Sequence, residues 1–140
     1  MYNSKTGLKK GVNMFLARII SILPAILLLP RGVGWVLNPA ENALDFGFIF
    51  NELSNHAQNT LIRDFSAFFI GISIMCIIGA LRMKYIWLAA PALIFLIVVI
   101  AHIIAATIYS TGFMDVLFGE ILLFLLCSLG SYLIYKQENI

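Results

Sequence analysis

Charge is scarce in this chain. Of its 140 residues only 11% are charged, against roughly a quarter in ordinary soluble domains. Nine Lys and Arg face seven Asp and Glu, a net charge of +2. No basic stripe with interleaved aromatics accompanies it, which excludes a nucleic-acid surface. Cysteine is equally sparse. Cys76 and Cys127 both lie in apolar runs, outside any C-x-x-C pair or metal-ligand spacing, and read as two small buried hydrophobes. There is no P-loop, zincin or serine-nucleophile pattern, so no catalytic residue and no metal ligand is assigned. Internal repeats and low-complexity tracts are lacking too. The length fits one domain over residues 1–140, with no separate soluble part.

What fills the chain is apolar. Hydrophobic residues make up 61% and the mean hydropathy is +0.98. A membrane span needs about 20 mostly apolar residues. Four segments qualify, at 14–36, 60–81, 87–109 and 114–135. The expected fold class is an all-α membrane protein, a four-transmembrane-helix bundle. Lys9 and Lys10 before the first apolar run resemble the start of a signal peptide. Arg18 and Arg31 interrupt that run, however, and no small-x-small cleavage site follows, so it reads as a retained helix.

Orientation follows from the distribution of cations. Lys5, Lys9 and Lys10 precede the first span, Arg82 and Lys84 fill the loop between the second and third, and Lys136 follows the fourth. The loop after the first span carries Glu41, Asp45 and Glu52 and no cation before Arg63. Both termini are therefore expected in the cytoplasm, with the long loop outside. Within that loop Asn38-Pro39-Ala40-Glu41 reads as a helix start, with Asn at the N-cap, Pro at N1 and Glu at N3, and Gly47 suits a stop. A short interfacial helix or an ordered loop with apolar anchors both fit. Pro24 and Pro30 fall inside the first span, where each removes a backbone donor and favours a kink.

Arg31, Asp64, His102 and Glu120 each interrupt a different span. At about 1.5 Å per residue they lie roughly 6–10 Å in from the expected outer face, at one common level. Ionisable groups inside a bilayer are costly and face a protein interior or a cavity. Arg31 with Asp64 or Glu120 would balance charge, and His102 could serve either carboxylate. Arg63, about 100° round the helix from Asp64, is expected to snorkel to the surface on its own. Two readings stay open. One is a satisfied polar network that pins the helices; the other is a pocket for a polar head group, a quinone or a proton. His56 is expected in solvent, and Trp35 and Trp87 in packing or interfacial belts. Gly71, Ser73, Gly79, Gly130 and Ser131 are expected to let helices approach closely.

The residues Asn38-Pro39, Arg63-Asp64-Phe65, Phe68-Phe69 and Gly71, with Trp87, Ala90-Pro91-Ala92-Leu93 and Gly119-Glu120, resemble a family of small uncharacterised bacterial four-helix membrane proteins, DUF4345-like and DoxX-like. The resemblance spans about residues 13–135. It implies the same four-helix architecture, polar positions at Asp64 and Glu120, and no settled activity. An arginine often stands in such proteins near the position of His102, so the histidine is a departure.

The leading expectation is thus a small integral protein of the bacterial inner membrane, a non-catalytic accessory or assembly subunit. Its partners would be membrane lipid and a larger membrane complex or further copies of itself, without a cofactor. The competing expectation is a quinone-, lipid- or proton-handling protein. Its site would be Arg31, Asp64, His102 and Glu120, with lipid or quinone as the bound group.

Overall fold

The computed structural model describes residues 4–112 and 116–139, with side chains from Asn13 onward. The described chain is all-helical. It contains α1 (Ser4–Leu37), α2 (Pro39–Asp45), a 3-10 turn at Phe50–Glu52, α3 (Asn55–Arg82), α4 (Ile86–Ile108) and α5 (Val116–Glu138). Four helices are long and apolar enough to cross a membrane: Asn13–Leu37 within α1, then α3, α4 and α5. At about 1.5 Å per residue even the 23-residue α4 and α5 exceed the roughly 30 Å hydrocarbon layer. The expected fold class holds.

The boundaries moved modestly. The structure starts α3 at Asn55, five residues before the expected Thr60, because Ser54 and Asn55 supply a polar start. The Ser54 hydroxyl accepts from the Ala57 N–H at 3.3 Å. The expected beginning of the fourth span at Met114 lies outside the described residues. α1 continues helical through both Pro24 and Pro30.

The chain forms two compact units. The first joins the chain up to Pro24 with Met75 onward. It therefore holds the first part of α1, the end of α3, and all of α4 and α5. Ala17, Leu88 and Ile134 are fully buried at its centre, with Met83 and Leu133 packed against them. Leu88 is the knob of this packing. A Cβ on Gly79 would overlap Leu88 Cδ1, and one on Gly130 would lie 2.7 Å from Leu88 Cδ2 and 2.9 Å from Ser21 Oγ. Both glycines are thus required by close approach, as expected for small residues between membrane helices. Gly71 departs from that expectation. Nothing lies within 4 Å of where its Cβ would be.

α4 and α5 run antiparallel and pack along their length. The turn into α4 is tight. Met83 stands in the left-handed region at φ 52, which a non-glycine residue adopts at some cost. Its packing on the Ala17–Leu88–Ile134 cluster offsets that cost.

The second unit is Ala25–Ile74. Here Gly32 brings α1 against α3: a Cβ on Gly32 would sit 2.6 Å from Ile70 Cγ1 and 3.0 Å from the Ile70 nitrogen. The loop between them is ordered, and the expected short helix is present as α2. Pro39 occupies its first turn, but the Asn38 side chain makes no capping bond. The Asn42 amide instead donates to the Asn38 carbonyl at 3.0 Å. Gly47, at φ 77, ends the turn that follows. Ala43 is fully buried, while Glu41, Leu44 and Asp45 are exposed. Gln58 fixes the 3-10 turn by donating to the carbonyls of Phe50 and Leu53 at 3.0 and 3.1 Å. Trp35, fully buried, stacks on Phe65 at 4.8 Å between ring centroids, and Phe46 closes the cluster at 4.9 Å from Phe65. Packing, and not an interfacial belt, therefore accounts for Trp35.

Candidate functional site

The described residues divide the four polar side chains by unit. His102 and Glu120 belong to the first unit, Arg31 and Asp64 to the second. His102 sits near the end of α4 and Glu120 near the start of α5. Antiparallel pairing of these helices makes them neighbours. His102 Nδ1 lies 2.8 Å from Glu120 Oε2, and the side chains are only 13% and 18% exposed. The surrounding helix surface is apolar, so each group is the other's main source of polar contact.

The chemistry of this contact is narrow. With the carboxylate ionised, Nδ1–H donates to it; with the carboxyl protonated, its O–H donates to Nδ1. The proton can shift between Nδ1 and Oε2 while the pair stays neutral. In an apolar setting such an internal exchange avoids the cost of an uncompensated charge.

Asp64 is held differently from the expectation. Arg63 does not reach to the surface alone. Its Nε donates to Asp64 Oδ1 at 2.7 Å, and its Nη2 to Oδ2 at 3.4 Å. The long arginine arm folds back over one residue and overrides the 100° separation of the two positions. Both side chains remain more than half exposed, at 62% and 57%. The carboxylate expected to serve Arg31 is therefore taken by Arg63, and Arg31 is exposed on α1. His56 is also exposed, in the first turn of α3. Among the described residues no three His, Cys, Asp or Glu side chains gather as a metal site would require.

Two further arrangements escaped the sequence reading. Cys76 on α3 and Cys127 on α5 are both fully buried, and their thiols lie close enough to influence each other. Fifty-odd residues apart in apolar runs, they carried no spacing signal.

The second arrangement is a cleft of about 360 Å³ at the opposite end of the α4–α5 pair. Tyr85, at the N-cap of α4, lines it with Ala89 and Ala92 of α4, and Ser128, Ser131, Tyr132 and Tyr135 line it from α5. The α5 set recurs at i, i+3, i+4 and i+7, a single helix face. That polar stripe was visible in the sequence. Reading Ser131 together with Gly130 as a close-packing pair concealed it. Here Ser131 Oγ donates to the Tyr85 carbonyl at 3.2 Å, and the Tyr85 and Tyr135 rings meet edge to face at 5.2 Å. Beside the cleft, Lys84 Nζ pairs with Glu138 Oε1 at 2.8 Å, and Glu138 Oε2 accepts the Tyr85 N–H at 3.3 Å. The hydrogen bond to Glu138, reinforced by its charge, holds the Lys84 amine above the ordinary lysine range.

The chain matches no protein-family model, no curated protein and no solved structure.

Proposed function

We propose that this chain is a non-catalytic integral membrane subunit, an accessory or assembly component whose helices meet partner helices or lipid. The observation that carries the reading is the closed His102–Glu120 pair. Its polar groups are directed at each other across α4 and α5 and act as a register lock between two otherwise greasy helices. A buried polar contact of this kind specifies alignment more than it adds stability. The bacterial inner membrane, with both termini cytoplasmic, is proposed from two supports. They are the cations at residues 5, 9, 10, 82, 84 and 136 and the resemblance to small bacterial four-helix proteins.

The alternative function is proton, quinone or lipid handling at the same polar residues. It is favoured by one feature, the ability of the His102–Glu120 contact to pass a proton internally. Two experiments separate the readings. In the first, the positions are exchanged, His102→Glu with Glu120→His. A register lock tolerates the exchange, and folded yield and thermal midpoint stay near those of the parent while either single change lowers both. In the second, the parent protein is sealed into liposomes with an internal pH dye. The subunit reading expects proton flux no faster than in protein-free liposomes. Flux that depends on His102 or Glu120, or quinone quenching of a nearby fluorophore at those residues, would overturn it.

A further inference from the structure

The cleft at the Tyr85 end of α4 and α5 has a graded chemistry. Its inner part is floored by Ala89 and Ala92; the α5 wall carries the hydroxyls of Ser128, Ser131 and Tyr132. From Tyr85 to Ala92, and from Tyr135 back to Ser128, is seven residues on each helix. That is about 10 Å of length along the two helices. The volume, about 360 Å³, is at the lower end of ligand-sized clefts. Of the hydroxyls, Ser131 is engaged by the Tyr85 carbonyl, whereas Ser128 has no hydrogen-bond partner among the described residues. A serine in an apolar helix ordinarily bonds back to its own backbone, as Ser21 and Ser73 do here at 2.7 Å.

The helix ends on this side of the α4–α5 pair carry cations. Arg82, Lys84 and Lys136 lie on the last turn of α3, in the turn to α4 and on the last turn of α5, and all three are exposed. Among the described residues Glu138 is the only carboxylate on these same segments, and it is engaged by Lys84 and the Tyr85 N–H. Three cations against one acid leave an excess of two positive charges. Tyrosines belong at the level where acyl chains give way to head groups, with rings in the apolar layer and hydroxyls in the polar one.

An amphipathic molecule with an anionic head and an apolar tail matches every part of this gradient. We propose that the cleft binds one anionic glycerophospholipid from the surrounding leaflet. Its phosphate meets Arg82 and Lys136, its glycerol backbone lies against Ser128 and Tyr132, and an acyl chain runs over Ala89 and Ala92. Basic recesses between membrane helices are suited to anionic head groups. The proposal requires only that the helices span a membrane; it does not depend on the accessory-subunit reading.

The test uses the full chain in detergent, titrated with phosphatidylglycerol or phosphatidylcholine, with retained lipid counted by native mass spectrometry. One phosphatidylglycerol per chain is expected, bound at least about tenfold more tightly than phosphatidylcholine, a difference of about 1.4 kcal/mol. Arg82→Gln and Lys136→Gln should each weaken retention about fivefold. Ser128→Leu, which fills the cleft and leaves every charge in place, should abolish the one-lipid species. Ala89→Leu, which also fills the cleft and leaves every charge in place, serves the same purpose if Ser128→Leu does not fold. Thermal midpoints without added lipid control for misfolding. Equal retention of both lipids, or retention unchanged in the folded variants, overturns the proposal. So does a protein dimer that cross-links through Tyr132→Cys and excludes the lipid.

Discussion

Breaking the His102–Glu120 contact yields an asymmetric loss. At 2.8 Å two opposite unit charges attract by roughly 6 kcal/mol at an effective dielectric of about 20. Removing both from water costs several kcal/mol per ion, so most of that attraction is cancelled. Hydrogen bonds to charged groups leave about 1.5–3 kcal/mol net. Those between membrane helices average about 0.6 kcal/mol and reach about 1.7. With side chains 13% and 18% exposed, a coupling of about 1–2 kcal/mol is expected. A double-mutant cycle measures it: His102→Ala, Glu120→Ala and both, each unfolded with SDS in mixed micelles. Glu120→Ala leaves a histidine that can stay neutral, and costs about the coupling itself. His102→Ala strands a carboxylate among apolar side chains and costs more, up to about 3–5 kcal/mol while it is ionised. Single costs that add within about 0.3–0.5 kcal/mol in the double variant would refute the lock.

Other expectations follow from the packing. Gly130→Ala would place its Cβ 2.7 Å from Leu88 Cδ2. It should destabilise by about 1–3 kcal/mol, and Leu88→Ala in the same chain should recover part of the loss. Gly71→Ala, with nothing within 4 Å of the new Cβ, should be neutral or stabilise by up to about 1 kcal/mol; thermal melts in detergent compare the two. Cys76 and Cys127, both fully buried, should resist a water-soluble maleimide in the folded protein and react after SDS denaturation, counted by mass. The Lys84–Glu138 bridge raises the folded-state pKa of the lysine. Its contribution is therefore complete below the ordinary lysine value of 10.5 and lost as the pH climbs through the raised one. Melts of the parent and of Lys84→Met should differ at neutral pH and converge in strong alkali.

The helices were legible because a bilayer imposes a simple rule: an apolar stretch must be long enough and must satisfy its backbone internally. The Asn38-Pro39 start and the Gly47 stop were equally local, a fixed φ at one end and a left-handed residue at the other. Side-chain partners were harder to read. His102 with Glu120 follows from two helices joined by a short loop, which folds the end of one beside the start of the next. Arg63 with Asp64 did not follow from helical angles, since an arm as long as arginine's can return to its neighbour. Gly79 and Gly130 look like Gly71 in sequence. Only the placement of Leu88 distinguishes them. The contact between Cys76 and Cys127 is tertiary throughout, with no periodicity to announce it.

The α4–α5 pair is pinned at both extremities, by His102 and Glu120 at one and by Ser131 with the Tyr85 carbonyl at the other. This bears on how the chain enters a bilayer. α5 arriving alone carries the Glu120 carboxylate with no partner, and an ionised residue within a span is costly to insert. α4 and α5 arriving together present a neutral couple. The cheaper passage is as a hairpin, and α5 is expected to insert more efficiently behind α4 than alone. Glycosylation-site reporters on α5 with and without α4 would read that dependence directly.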